Sequence, residues 1–293
     1  MKKFYILDGS GYIFRAYYAL PELANSQGQP RGAVYGFFRM ILKLFQDQPD
    51  NFVIAWDAKG KTKRHDMFEE YKANRPSMPD EFKQQISIIK DSVKYLGIPF
   101  LEKAGYEADD IIKTLVDQYG YGENEITIIS GDKDLKQLLG KNIYFFDPMK
   151  QEVQSKDNFV NDMGFSPENM QDYLALLGDS SDNIPGVRGI GKKTAQKLIS
   201  EYGTLEEIYE NLNIIGGSLQ TKLEESRELA FSSRELVELM TVDGMMDNFD
   251  LKLKPDFDKM KNLLVKEHGF KSMEKVVDEL KKKYFGGKQE SLF

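Results

Sequence analysis

Short apolar runs that end in, or run into, aspartate recur through the first half of the chain, and they limit the fold more than any other feature. Runs at Phe4–Asp8, Phe52–Asp57, Ile126–Ser130 and Ile143–Asp147, with a weaker one near Ile98–Leu101, alternate with amphipathic stretches such as Val34–Phe45, Phe82–Leu96 and Ala108–Tyr119. Near-continuous apolar strands divided by helices require a parallel sheet covered on both faces. Beyond about residue 160 the strand signal stops and helical patterns with glycine-rich breaks take over. The spacing predicts an α/β domain with a mostly parallel central sheet flanked by helices over 1–165, and a helical domain over 166–255. Packing helices over 256–285 and a flexible tail at 286–293 complete the expected layout.

Composition narrows the function classes. Nineteen Phe, fifteen Tyr and a 41% hydrophobic content supply a core, which excludes extended disorder. No cysteine is present, which removes disulfide frameworks, cysteine–zinc sites and thiol nucleophiles and fits a reducing compartment. No apolar run approaches the ~20 residues that span a bilayer. The N-terminal apolar run is cut by Asp8 and lacks a small-residue cleavage site. A soluble cytoplasmic monomer with no membrane partner is expected. Forty basic against forty-seven acidic residues give −7, which on its face disfavours nucleic acid. Distribution matters more: Lys59–Arg75 holds six Lys or Arg against three acids, and Gly186–Lys197 holds four basic residues and no acid.

The acids are placed as a ligand site requires. In open parallel sheets, ligands bind beyond the carboxyl ends of the strands, where Asp8, Asp57 and the Asp132-Lys133-Asp134 run fall. Glu107, Asp109 and Asp110 open a helix, and Asp179 and Asp182 have the i,i+3 spacing of one helical face. Taken singly, each acid reads as a strand-end turn, an N-cap or a partner for a helix dipole. Gathered, nine carboxylates repel one another unless cations neutralise them, and hard oxygen ligands select Mg²⁺ or Mn²⁺. Two metal ions in an acid-only site are a recurring solution for phosphodiester cleavage. The pattern favours metal-dependent phosphoryl transfer.

Two basic elements accompany the acids. The long segment from Lys59 to about Phe82, with Lys63, Arg64, Tyr71, Lys72 and Arg75, reads either as a solvated loop or as a grip on a phosphate backbone with Tyr71 stacking a base. Gly186-Val187-Arg188-Gly189-Ile190-Gly191, followed by Lys192 and Lys193, lacks the spacing and preceding strand of a nucleotide-binding loop. Its glycines and the helix start after it suit a helix-hairpin-helix contact with a DNA backbone.

The motifs themselves resemble the 5′-nuclease family. They are Phe4-Tyr5-Ile6-Leu7-Asp8-Gly9, Phe14-Arg15-Ala16-Tyr17, Trp56-Asp57-Ala58-Lys59, Arg64-His65, Tyr71-Lys72-Ala73-Asn74-Arg75, Gly105-Tyr106-Glu107-Ala108-Asp109-Asp110, Gly131-Asp132-Lys133-Asp134-Leu135 and Gly178-Asp179-Ser180-Ser181-Asp182-Asn183-Ile184-Pro185-Gly186-Val187. In order and together, they resemble the 5′→3′ exonuclease domain of bacterial DNA polymerase I and free-standing bacterial flap endonucleases. The resemblance implies a PIN-like, Rossmann-like fold with a helix-3-turn-helix motif, and cleavage of 5′ flaps, 5′ ends and RNA primers in replication and repair. It implies a helical arch at about 59–82, with Lys72, Arg75 and Arg15 as phosphate contacts. Asp8, Asp57, Glu107, Asp109, Asp110 and Asp132 resemble its first metal cluster, and Asp134, Asp179 and Asp182 its second. DNA contacts are implied at Lys63, Arg64, Tyr71, Arg188, Gly189, Gly191, Lys192 and Lys193, and K⁺ at the carbonyls of Val187 and Ile190. The ending Gln289-Glu290-Ser291-Leu292-Phe293 resembles peptides that dock on the bacterial sliding clamp through Gln289, Leu292 and Phe293. Competing readings are a non-catalytic DNA-junction module, which gains nothing from acids beside a polyanion, and a single-strand ribonuclease, which has no use for a duplex-gripping turn.

Overall fold

The computed structural model describes residues 1–20, 23–25, 27–245 and 249–286. Along the chain run β1 (Lys2–Asp8), α1 (Gly9–Ala19), α2 (Gly32–Phe45), β2 (Asn51–Trp56), α3 (Lys63–Met67), α4 (Asp80–Tyr95), β3 (Phe100–Glu102), α5 (Ala108–Tyr119), β4 (Asn124–Ile129), β5 (Ile143–Asp147) and β6 (Glu152–Gln154). Helices then take over, among them α6 (Lys156–Met163), α7 (Met170–Leu177) and α8 (Lys192–Tyr202). Contacts gather into two compact units, one of residues 1–56, 77–102 and 246–293, the other of 57–76 and 103–245. Mostly parallel strands flanked by helices, followed by a helical segment, are the architecture that the apolar runs predict. Among the described residues, no helix is long and apolar enough to cross a membrane.

In the first unit, β1 runs parallel to β2, with Phe4 opposite Asn51 and Asp8 opposite Ala55, and β2 runs parallel to β3. Phe4, Ile6 and Leu7 of β1 and Phe52 to Ala55 of β2 are wholly buried, the continuous apolar pattern of a sheet covered on both faces. The first turn after β1 is fixed by close approach. A Cβ on Gly9 would sit 2.4 Å from the Trp56 ring, and one on Gly11 would sit 2.3 Å from Asp8 Oδ2. Asp8 is buried and caps α1, accepting the Gly11 N–H at 2.9 Å. The last part of the chain returns to this unit: the Phe52 N–H donates to the Leu251 carbonyl at 3.1 Å, and the Tyr284 hydroxyl to the Phe45 carbonyl at 3.0 Å.

In the second unit, β4 runs parallel to β5, and β5 antiparallel to β6. α7 packs against the helix Arg227–Val237. Gly178 and Gly186 have φ of +73° and +63° and meet so closely that a Cβ on Gly186 would lie 2.4 Å from the Gly178 nitrogen. Only glycine fits both positions. That approach sets the loop 179–185, which is closed by reciprocal Asp179–Ile184 backbone hydrogen bonds at 2.8 Å each.

Candidate active site

Eight of the nine acids singled out from the sequence lie in the second unit; Asp8 lies in the first. The start of α5 organises three of the eight. Asp57 accepts the Ala108 N–H at 2.7 Å, while Glu107 and Asp110 form a reciprocal capping box. Asp110, fully buried, receives Arg64 through two hydrogen bonds of 2.8 and 2.9 Å, and also the N–H groups of Glu107 and Met240. The Arg64 guanidinium also donates to the carbonyls of Leu236 and Glu238.

This geometry corrects two expectations. Arg64 is 3% exposed and its donors are spent inside the protein, so it does not face DNA. Asp110 already accepts four hydrogen bonds, and its work is to hold Arg64 and the Glu107 backbone. Asp109 is half-buried on the first turn of α5.

The segment expected to form the arch is helical only at Lys63–Met67 and again from Asp80; residues between them run mainly as turns. Its second half lies against the 179–183 loop. The Lys72 N–H donates to the Asp182 carbonyl at 3.0 Å, Asn74 Nδ2 to the Ser180 carbonyl at 2.6 Å, and Asn183 Nδ2 to the Glu70 carbonyl at 2.7 Å. Lys72 Nζ lies 2.7 Å from Glu107 Oε1 and 3.5 Å from Asp182 Oδ2, and Arg75 lies 2.5 Å from Asp182 Oδ1. Burial opposes charge on Lys72, but Glu107 and Asp182 outweigh it and hold the ammonium above its usual value.

Tyr71 is a third correction. It is 3% exposed and its hydroxyl bridges Glu107 at 3.0 Å and Asp182 at 3.1 Å, so it presents no face for a base. Burial, followed by the two carboxylates, pushes its phenol up. Lys63 stays exposed, with Nζ on the Tyr106 hydroxyl.

Around Asp132 the acids are less well satisfied. Asp132 accepts the Asp134 N–H at 2.9 Å and caps the short helix Lys133–Leu138. Asp179 is paired with Lys133 at 2.8 Å and with the Ser181 hydroxyl and N–H. Burial alone would raise the Asp179 carboxyl, yet Lys133 and Ser181 hold it below its ordinary value. Lys133 and Ser181 were not singled out from the sequence. Lys133 had a signal all the same, as the one cation between two of the acids.

Asp134 contrasts with Asp179: its Oδ1 is buried with no hydrogen-bond partner. Burial, then the charge of Asp132, push its carboxyl up to about 8. A buried carboxylate oxygen without a donor, beside further acids, is what a divalent cation would satisfy, so the residues fit such an ion. Among the described residues no three acids or histidines converge with metal-ligand spacing. In the second unit Lys72, Arg75, Arg64 and Lys133 stand against the carboxylates instead.

The glycine-rich turn carries its basic residues outward. Arg188, Gly189, Gly191, Lys192 and Lys193 are exposed, whereas Val187 and Ile190 are buried and join the turn to α7 through the Val187 N–H on the Leu176 carbonyl. The Val187 carbonyl accepts the Ile190 N–H at 3.1 Å, and Lys222 Nζ lies 3.4 Å from the Gly189 carbonyl. In the first unit, Arg15 is half-buried on α1. Gln289, Leu292 and Phe293 lie outside the described residues.

Comparison with known proteins identifies the family and the fold. Residues 3–164 match the N-terminal resolvase-like domain of 5′-3′ exonucleases, and residues 165–259 match the C-terminal SAM fold of the same enzymes. A 5′-3′ exonuclease of Aquifex aeolicus is 40% identical over 296 residues, covering all of both chains. DNA polymerase I of Caldicellulosiruptor bescii is 44% identical over 245 residues, 81% of this chain but 29% of the polymerase. A structure of the bacteriophage T5 flap endonuclease with DNA and metal ions superposes with a TM-score of 0.70 at 23% identity, covering 96% of this chain and 98% of that one.

Proposed function

Because the chain belongs to the 5′-3′ exonuclease family, we propose that it is a divalent-metal-dependent 5′ nuclease that trims 5′ ends and incises 5′ flaps. Its substrates in this reading are branched or flapped DNA and RNA-primed DNA met in replication and repair, work that belongs to the cytoplasm. The observation that carries the metal requirement is the partnerless Asp134 Oδ1 beside Asp132. Asp132, Asp134, Asp179, Asp182, Glu107 and Asp109, with Asp57 and Asp8, are the residues we assign to Mg²⁺ or Mn²⁺. The chemistry such ions supply when bound is activation of water and neutralisation of charge on the phosphodiester.

The chain's own residues orient the substrate. Lys72 and Arg75, and Arg15 from α1, offer cationic donors to a phosphodiester, where preorganised charge lowers the barrier. Exposed Arg188, Lys192 and Lys193, with the backbone of Gly189 and Gly191, grip a duplex backbone without reading sequence. K⁺ at the Val187 and Ile190 carbonyls belongs to the same proposal, as does a monomeric enzyme. The tail pentapeptide is assigned to the bacterial sliding clamp; changing Leu292 and Phe293 together to alanine is expected to abolish clamp binding, and equal binding by that variant rejects the assignment.

Cleavage of a labelled 5′-flap duplex in Mg²⁺, Mn²⁺ or EDTA, beside Asp132→Ala, tests the central reading. Incision near the flap base in metal, absent in EDTA and reduced roughly 100-fold or more in the variant, is expected. Tight flap binding without cutting in any metal would instead make the protein a junction-binding module.

A further inference from the structure

Work on a substrate phosphate does not explain why Lys72 is turned inward. Its ammonium spans two carboxylates, at 2.7 Å from Glu107 and 3.5 Å from Asp182. The three side chains are 18%, 8% and 19% exposed, so this is no solvated surface pair. The backbone is committed too: Lys72 has φ of +56°, a left-handed conformation uncommon for a side chain of its kind, and its N–H donates to the Asp182 carbonyl. Asn183, on the facing loop, has φ of +58° and donates to the Glu70 carbonyl. A strained turn is held only where the surroundings over-determine it, and here they do so by placing a cation between two acids.

We propose that Lys72 is the resident counter-cation of the metal-free site, and that its ammonium and a divalent ion exclude one another between Glu107 and Asp182. Without metal, Glu107 and Asp182 carry two negative charges and Lys72 and Arg75 return two positive ones, while Arg64, which also reaches Glu107 at 3.4 Å, is matched by Asp110. A divalent ion on the same carboxylates leaves the group two charges in excess, and the most mobile cation, at the end of a four-carbon stem, is expelled. Its nearest new partner is the anion that the site exists to receive, a phosphodiester. Metal loading and delivery of the Lys72 charge to substrate are then one event, and an enzyme without metal keeps that charge withdrawn. Asp134 shows the converse: Lys133 turns its ammonium to Asp179, and the buried Asp134 Oδ1 is left without a hydrogen-bond partner.

The proposal rests on the metal-dependent reading above, and calorimetry separates the two. Ca²⁺ is titrated into the full chain, wild type against Lys72→Met, Lys72→Gln and Lys72→Arg, with thermal melts of each in EDTA and in saturating Ca²⁺. Both neutral variants are expected to bind Ca²⁺ roughly three- to tenfold tighter than wild type. They should melt lower in EDTA and regain most of the loss in Ca²⁺. Lys72→Arg, which keeps the charge, should stay within about twofold of wild type. Neutral variants that fold but bind Ca²⁺ no more tightly overturn the proposal, as does an unchanged melting point in EDTA. Wild type that binds neither Ca²⁺ nor Mn²⁺ defeats the metal-dependent reading itself.

Discussion

Arg64→Leu is expected to cost about 3–5 kcal/mol of stability, measured by urea unfolding at pH 7. The pair it breaks is among the most enclosed in the molecule, with Arg64 3% exposed and Asp110 wholly buried. A buried ion pair adds little net stability, because desolvation consumes most of the attraction. Removing one member is different, since the other is left charged with nothing to oppose it. Loss of the guanidinium leaves Asp110 in that state and strips the Leu236 and Glu238 carbonyls of their donor. The double change Arg64→Leu with Asp110→Asn should recover part of the loss, because the neutral amide removes the unopposed charge, although its single oxygen can keep only one of the two N–H groups, of Glu107 and Met240, that the two carboxylate oxygens now accept. A DNA-contacting arginine would behave oppositely. Its removal would weaken DNA binding and flatten the salt dependence while leaving unfolding unchanged, and that result would restore Arg64 to the DNA surface.

The contrast between Arg64 and its neighbours marks how far the sequence could be read. Strands β1, β2, β4 and β5 were legible because a buried strand is a run of apolar residues whatever it packs against. The polar three-residue β6 has no such signature; its pairing with β5 is a tertiary fact. α1 was equally obscure, since it opens on Gly-Ser-Gly, which propensity alone reads as a turn. The tight fit of Gly9 under Trp56 and of Gly11 on Asp8 explains those residues. In the site, residue type and strand-end position revealed the acids. Their division of labour was hidden. Arg64 and Tyr71 look like surface cation and exposed ring in a polar stretch, yet one is neutralised by Asp110, 46 residues away, and the other reaches Asp182, 111 residues away. Local patterns carry the identity of a group and say little about which distant partner claims it.

Asp134→Asn should stabilise the metal-free protein and cripple the enzyme. With Oδ1 buried and unpartnered, and Asp132 adding its charge, the folded site holds the Asp134 proton up to about 8, against about 3.9 for an unfolded aspartate. Over that interval the folded state binds more protons than the unfolded state, so stability falls as pH rises. The penalty is absent below about pH 4, grows between pH 4 and 8, and is complete above. In EDTA, wild type should therefore lose stability from pH 5 to 9. The asparagine variant, having no charge to suppress there, should show a flatter profile and gain about 1–3 kcal/mol at pH 8. Saturating Mg²⁺ should reverse the wild-type slope, because the carboxylate must be ionised to hold a cation, and leave the variant largely unmoved. Flap cleavage should fall roughly 100-fold or more. A variant that is less stable than wild type in EDTA at pH 8 would mean that this carboxylate is satisfied in the folded protein without any ion. A variant that cleaves normally would remove Asp134 from the metal site. Stability gained where catalysis is lost is the mark of a residue whose charge the fold tolerates for its chemistry.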